Sequence, residues 1–188
     1  MRVRGVGGTT LDDVVLTSGV SKSQLYRHFP DKPALVRAVV EFVGERTIGG
    51  ERERLGKVKS LAGLKRWRDG LIAFNALEQG RYGCPLGSLA NEVSDHDVVA
   101  REQLQALFAA WSELFEGVLR RLQQNGTIRA DADVVRLATG FVAAVQGGYL
   151  LAQTARDVAP MASAVDMALE HLRLLADADP GTATRRNS

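Results

Sequence analysis

Lys22, Ser23, Gln24, Tyr26, Arg27 and His28 fall in one short stretch, and Lys32 lies just beyond it. Every one of these side chains can donate a hydrogen bond, and three carry a fixed positive charge. Such a set recognises phosphate oxygens and base edges rather than breaking bonds. Lysine pairs well with guanine and glutamine with adenine in a major groove, while tyrosine, histidine and lysine grip the backbone. No comparable set supports catalysis. His28, His96 and His171 are dispersed, and there is neither a phosphate-binding glycine loop nor a nucleophile elbow. Cys84 stands alone and the histidines have no ligand spacing, so no metal and no cofactor is expected, and an enzyme is not the expected class.

The elements that must position this set are legible in the local sequence. Thr10 suits an N-cap and Asp13 can close a capping box, so a helix begins at Leu11, with Leu11, Val14 and Val15 on one apolar face. Gly19 supplies the left-handed residue that ends it. Ser21 caps a second helix with Gln24 at the box position, and Leu25 and Phe29 point inward four residues apart. The recognition residues are left facing outward, and Gln24 has two readings, cap or base reader. Asp31 and Pro33 open a third helix, whose amino end and Lys32 together suit a phosphate. This is the form of a helix-turn-helix that offers the start of its second helix to a major groove.

The run Gly19-Val20-Ser21-Lys22-Ser23, then Leu25-Tyr26-Arg27-His28-Phe29 and Lys32, resembles the DNA-binding signature of the tetracycline-repressor (TetR) family of bacterial transcriptional regulators. The resemblance implies an all-α homodimer: a small helix-turn-helix head, and a larger helical body that binds a small molecule and holds the dimer. By position it implies phosphate contacts from Thr10, Tyr26, His28 and Lys32, base contacts from Lys22, Ser23 and Gln24, and Leu11 and Arg27 beside them. The family's head also has an amphipathic helix ahead of the segment that opens here at Thr9. Residues 1–8, MRVRGVGG, supply almost nothing for it. The expectation is a head whose core is open on one side, and weak operator binding by this polypeptide. The alternative is a small-molecule-binding dimer that has lost DNA binding.

The whole chain fits that expectation. At 188 residues, with 45% hydrophobic and 24% charged, it has an ordinary globular composition. The formal net charge is only +2, but Lys+Arg against Asp+Glu runs 7 to 5 over residues 1–48, 15 to 15 over 49–176 and 2 to 2 over 177–188. The excess therefore sits in the head. The single cysteine fits a reducing cytoplasm, and the N-terminus has no apolar segment of a secretory kind. Between Arg136 and Arg156 no charge occurs, a length that suffices to span a bilayer. Thr139, Gln146, Gln153, Thr154 and three glycines instead favour a helix buried on two sides by protein, so no membrane partner is expected.

The expected domains are a head over 1–48, a body over 49–176 and a disordered tail over 177–188. The third helix carries Leu35, Val39, Phe42 and Val43 and is expected to break at Gly49-Gly50, with residues 51–60 as a charged helix end or linker. The next helix runs to about Glu78. Gly83-Cys84-Pro85 opens a short one, a phrase similar to one that recurs in a branch of TetR-type bodies. Asp97 and the residues before it cap a long helix, Leu104 to Leu122, which ends at Asn125-Gly126. Trp67, Leu71, Phe74, Cys84, Leu89, Phe108, Trp111, Phe141, Val145 and Tyr149 are the candidate lining of an apolar effector pocket, each with core filling as its plain alternative. A small-residue stripe, Gly140, Ala144, Gly147, Gly148 and Leu151, faces a last helix with Val165, Leu169 and Leu172. These eight are the candidate dimer seam, with packing inside one chain as the alternative.

Overall fold

A computed structural model describes residues 4–77 and 79–176. The described residues form eight α-helices and no strand: α1 (Leu11–Ser18), α2 (Lys22–His28), α3 (Lys32–Gly56), α4 (Leu61–Leu77), α5 (Pro85–Val93), α6 (Val98–Gln124), α7 (Val134–Ala155) and α8 (Ala159–Leu174). The protein is all-α, as its periodicities require. The tail expected over 177–188 and the end of the fourth helix expected at Glu78 lie outside the described residues.

The chain divides into two compact units, residues 1–50 with 82–110 and residues 51–81 with 111–188. The first of these divisions, between residues 50 and 51, falls close to the boundary expected at 48, but α3 does not stop there. It continues through Gly49-Gly50 to Gly56. Each glycine costs a helix roughly 1 kcal/mol, and burial of Ile48, Glu51 and Leu55 along the same stripe outweighs that cost. Of the two readings of the charged run, helix end or linker, helix end holds through Gly56.

In the first unit α1 and α2 are held at their ends rather than by a core. Both begin with complete capping boxes, Thr10 with Asp13 and Ser21 with Gln24, and Gly19 ends α1 at φ +73°. Among the described residues of these two helices Leu25 alone is buried; Leu11, Val14 and Val15 are half-buried and Leu16 is 85% exposed. The segment before α1 is fastened elsewhere: Glu92 Oε2 accepts the amides of Val6 at 2.5 Å and Gly7 at 3.3 Å. Arg37 of α3 pairs with Asp97, the cap of α6, at 2.9 Å. Further along, a Cβ on Gly44 would stand 2.5 Å from Leu107 Cδ1, so α3 and α6 approach closely at a glycine.

The second unit has the aromatic core. Trp67 of α4 meets Phe115 of α6 edge-on at 5.1 Å, and Phe115 stacks on Phe141 of α7 at 5.2 Å. α7 has the length and apolar composition to cross a membrane. Its buried residues, Val134, Ala138, Phe141, Val142, Val145, Gly148 and Ala152, occupy one face. Val135, Gly140, Gly147, Leu150 and Leu151 on the other side are exposed. Burial on two sides, expected from its polar residues and glycines, does not occur within the single chain.

Candidate nucleic-acid interface

The candidate interface is α2 with the turns flanking it. Leu25 anchors the helix inward, which turns Lys22, Ser23, Gln24, Arg27 and His28 outward, all exposed, with Tyr26 at 42% exposure. Gln24 closes the capping box here: its Oε1 accepts the Ser21 amide at 2.8 Å. Ser23 Oγ lies 3.1 Å from Ser21 Oγ. Lys22 forms an ion pair with Asp12 at 2.9 Å, which raises its pKa through the hydrogen bond to that carboxylate and keeps it charged. At the flanks, Thr10 is exposed and its hydroxyl is shared with Asp13. That hydroxyl and the Thr10 amide hold the Asp13 carboxyl below its ordinary pKa. Leu11 is half-buried, so its side chain packs rather than presents. Lys32 Nζ reaches the Gly7 carbonyl at 3.4 Å, which brings the amino end of α3 beside the segment ahead of α1.

The candidate effector residues separate. Trp67, Leu71, Trp111, Phe141, Val145 and the half-buried Tyr149 belong to the second unit, where the aromatic contacts lie; Cys84, Leu89 and Phe108 belong to the first. Phe74 does not line an interior at all. It is 63% exposed, because the inward stripe of α4 is Leu64, Trp67, Leu71 and Asn75, which leaves position 74 outside.

The seam residues separate too. Gly140, Gly147 and Leu151 are exposed and Ala144 is half-buried. Gly148 is closed, since a Cβ there would lie 2.9 Å from the Met161 Cα of α8. Val165, Leu169 and Leu172 are buried inside the subunit and cannot meet a second copy. The reason is that α8 spends its leucine-rich stripe on its own chain, leaving Met167 and Leu174 outward.

Four residues outside the candidate sets matter as well. Glu51, 4% exposed, accepts the Trp67 indole N–H at 2.9 Å and pairs with Arg54 at 2.5 Å. Asn75 is buried and donates to Leu71 O at 2.8 Å and toward Tyr149 Oη at 3.5 Å. Glu92 and Phe115 complete the set. A signal existed for Glu51, which continues the Ile48, Glu51, Leu55 stripe, but the ERER run makes it look like one more solvated charge.

Residues 61–168 match the tetracyclin repressor-like C-terminal domain, and residues 1–39 match the bacterial regulatory proteins of the tetR family. The HTH-type transcriptional repressor DhaR of Mycobacterium sp. (strain GP1) is 28% identical over 172 residues, 90% of this chain and 84% of that protein. Two solved structures share the fold. Regulatory protein TetR from Rhodobacter sphaeroides is 22% identical, with TM-score 0.75 over 88% of this chain and 89% of that one. A cysteine mutant of the regulator CifR, complexed with 26-base-pair double-strand operator DNA, is also 22% identical, with TM-score 0.76 over 90% of this chain and 89% of that one. With both models matched in order, and the C-terminal one spanning more than half of the residues, the chain belongs to the TetR family of bacterial transcriptional regulators.

Proposed function

We propose that the protein is a cytoplasmic repressor that binds a roughly palindromic operator as a homodimer and is released by a small, mainly apolar effector. The observation that carries this is the outward display of Lys22, Ser23, Tyr26, Arg27 and His28 on a helix pinned by a single buried leucine. Two copies of such a helix, about 34–36 Å apart, read successive major grooves. The exposed, uncharged face of α7, with Gly140, Gly147, Leu150 and Leu151, supports pairing with a second copy rather than with lipid. Small residues there let a partner helix approach closely.

The effector reading draws on the Trp67, Phe115 and Phe141 cluster and on α3. α3 starts just after the recognition helix and ends at Gly56, and Glu51 near that end holds Trp67. A ligand that favours a different placement of Trp67 thereby favours a different placement of α3. Couplings of this kind are typically about 1–3 kcal/mol, about 5–150-fold in affinity.

A second reading, a ligand-binding dimer without DNA binding, draws on the thin packing of α1 and α2. Fluorescence anisotropy against the DNA flanking its own gene, with light scattering for mass, separates the two. Saturable binding of two chains per site, lost in Tyr26→Ala, supports the repressor. A dimer indifferent to every flanking duplex supports the second reading, and a monomer defeats both.

A further inference from the structure

We infer that the effector carries a hydrogen-bond acceptor, a carbonyl on an otherwise apolar frame, and that the Trp111 indole N–H is the donor that selects it. The inference rests on the effector-responsive reading above and names the chemistry of that site.

The chain has two tryptophans, and their indoles differ. Trp67 Nε1 donates to Glu51, as a buried indole normally does to some acceptor. Trp111, 2% exposed, has its Nε1 fully enclosed with no hydrogen-bond partner among the described residues. Enclosed donors are almost always matched, and an unmatched one calls for an explanation such as a ligand or an ordered water.

A second unmatched donor lies at the same level. Gln123 Nε2 donates to Ala132 O at 2.8 Å, and Phe115 stacks on Phe141. Positions on α6 therefore fall as those on α7 rise, and the two helices run antiparallel. One turn beyond Phe115 is Trp111; one turn beyond Phe141 are Val145 and Gln146. The Gln146 Nε2 is also enclosed without a partner. Its amide can turn to present oxygen instead, whereas an indole N–H can only donate, so the selectivity is assigned to Trp111. The one buried carboxylate among the described residues of this unit, Glu51, is already engaged by Trp67 and Arg54. Arg68 Nε is enclosed and unmatched too, but its guanidinium is already paired with Asp69 and Asp166, so the chemistry left unmet at Trp111 is acceptance of a hydrogen bond, with no charge required.

Matched probes test this on the full chain: acetophenone with ethylbenzene, and benzophenone with diphenylmethane. Each pair shares a frame and differs by the carbonyl. In a site without a donor the ketone gives up its water for nothing and the hydrocarbon binds better. With the Trp111 donor, each ketone should half-saturate at about tenfold lower concentration than its hydrocarbon, in thermal shift and in operator release. In an ¹⁵N-indole spectrum, ketone but not hydrocarbon should move the Trp111 resonance. Trp111→Phe should bring each ketone-to-hydrocarbon ratio to about one or below. Should that variant not fold, the wild-type pairs and the indole resonance still decide. Hydrocarbons binding as well as ketones, or a Trp111 resonance indifferent to ketone, would overturn the donor assignment and leave the effector reading standing. Failure of both series to bind would overturn both.

Discussion

At the scale of single residues, the interface depends on which donors remain available. Lys22 shares its charge with Asp12 and Gln24 Oε1 accepts at the cap, and we propose that phosphate contacts from Tyr26, His28 and Lys32 carry much of the affinity. Each neutralised phosphate releases a counterion, and the slope of log affinity against log salt records the number. Lys32→Ala is expected to lower that slope by about 1 and to weaken binding evenly across sequences, as read by anisotropy titrations from low to moderate salt. An unchanged slope would place Lys32 off the DNA. Asp97 poses a different residue-scale question. The Ala100 amide first, and the Arg37 guanidinium after it, hold its carboxyl below the ordinary aspartate pKa. A carboxyl depressed in the folded state stabilises above its unfolded pKa of about 3.9, and that stability is lost as pH falls through the folded value. Melting temperature should therefore drop steeply on acidification below about pH 4. Asp97→Asn should lower stability at neutral pH and flatten that acid limb; an unaltered acid limb in the variant would remove Asp97 from the account.

Among the elements, α7 packs one face inside the chain and, we propose, offers the other to a second copy. Its inner face is matched to α8 so closely that Gly148 has no room for a methyl against the Met161 backbone. Gly148→Ala should cost about 1–3 kcal/mol of overpacking, seen directly in chemical denaturation. Gly147 is one residue away on the open face, with nothing near its absent Cβ. Gly147→Ala should instead gain about 0.5–1 kcal/mol of helix stability within the subunit, while weakening association measured by sedimentation. Both effects are needed: a Gly147→Ala protein that dimerises as before would show that this face is not the seam. The contrast also shows why a stripe of small residues was ambiguous. The pattern marks where something comes close, and the tertiary structure decides whether that is the chain's own α8.

For the whole molecule, the consequential element is α3, which contributes residues to both compact units. Its buried Glu51 holds Trp67 in the second unit, and residues at its other end follow the recognition helix. Glu51→Ala leaves the Trp67 N–H enclosed without an acceptor, a loss of about 1–3 kcal/mol in thermal or denaturant unfolding. Glu51→Gln keeps an acceptor for that indole and should recover most of the stability. If Glu51 also couples effector to operator, the Gln variant should hold DNA normally yet show a smaller effector-induced drop in affinity. Recovery of both stability and response by Gln would reduce Glu51 to a structural role.

The recognition helix, its caps, the glycine that ends α1 and the extent of α6 were all readable from residue types, because each rests on contacts between positions two to four apart. The family signature lies in that same local stretch. Four things were not readable: α3 continuing through Gly49-Gly50, Glu51 buried among charges, Phe74 turned outward, and α8 spending Val165, Leu169 and Leu172 on its own chain. Each depends on which partner covers a helix face, and that partner comes from far along the chain, as Arg68 meeting Asp166 and Trp67 meeting Phe115 illustrate. Periodicity says that a helix has an inside. Only the packing of distant helices chose which residues that inside contains.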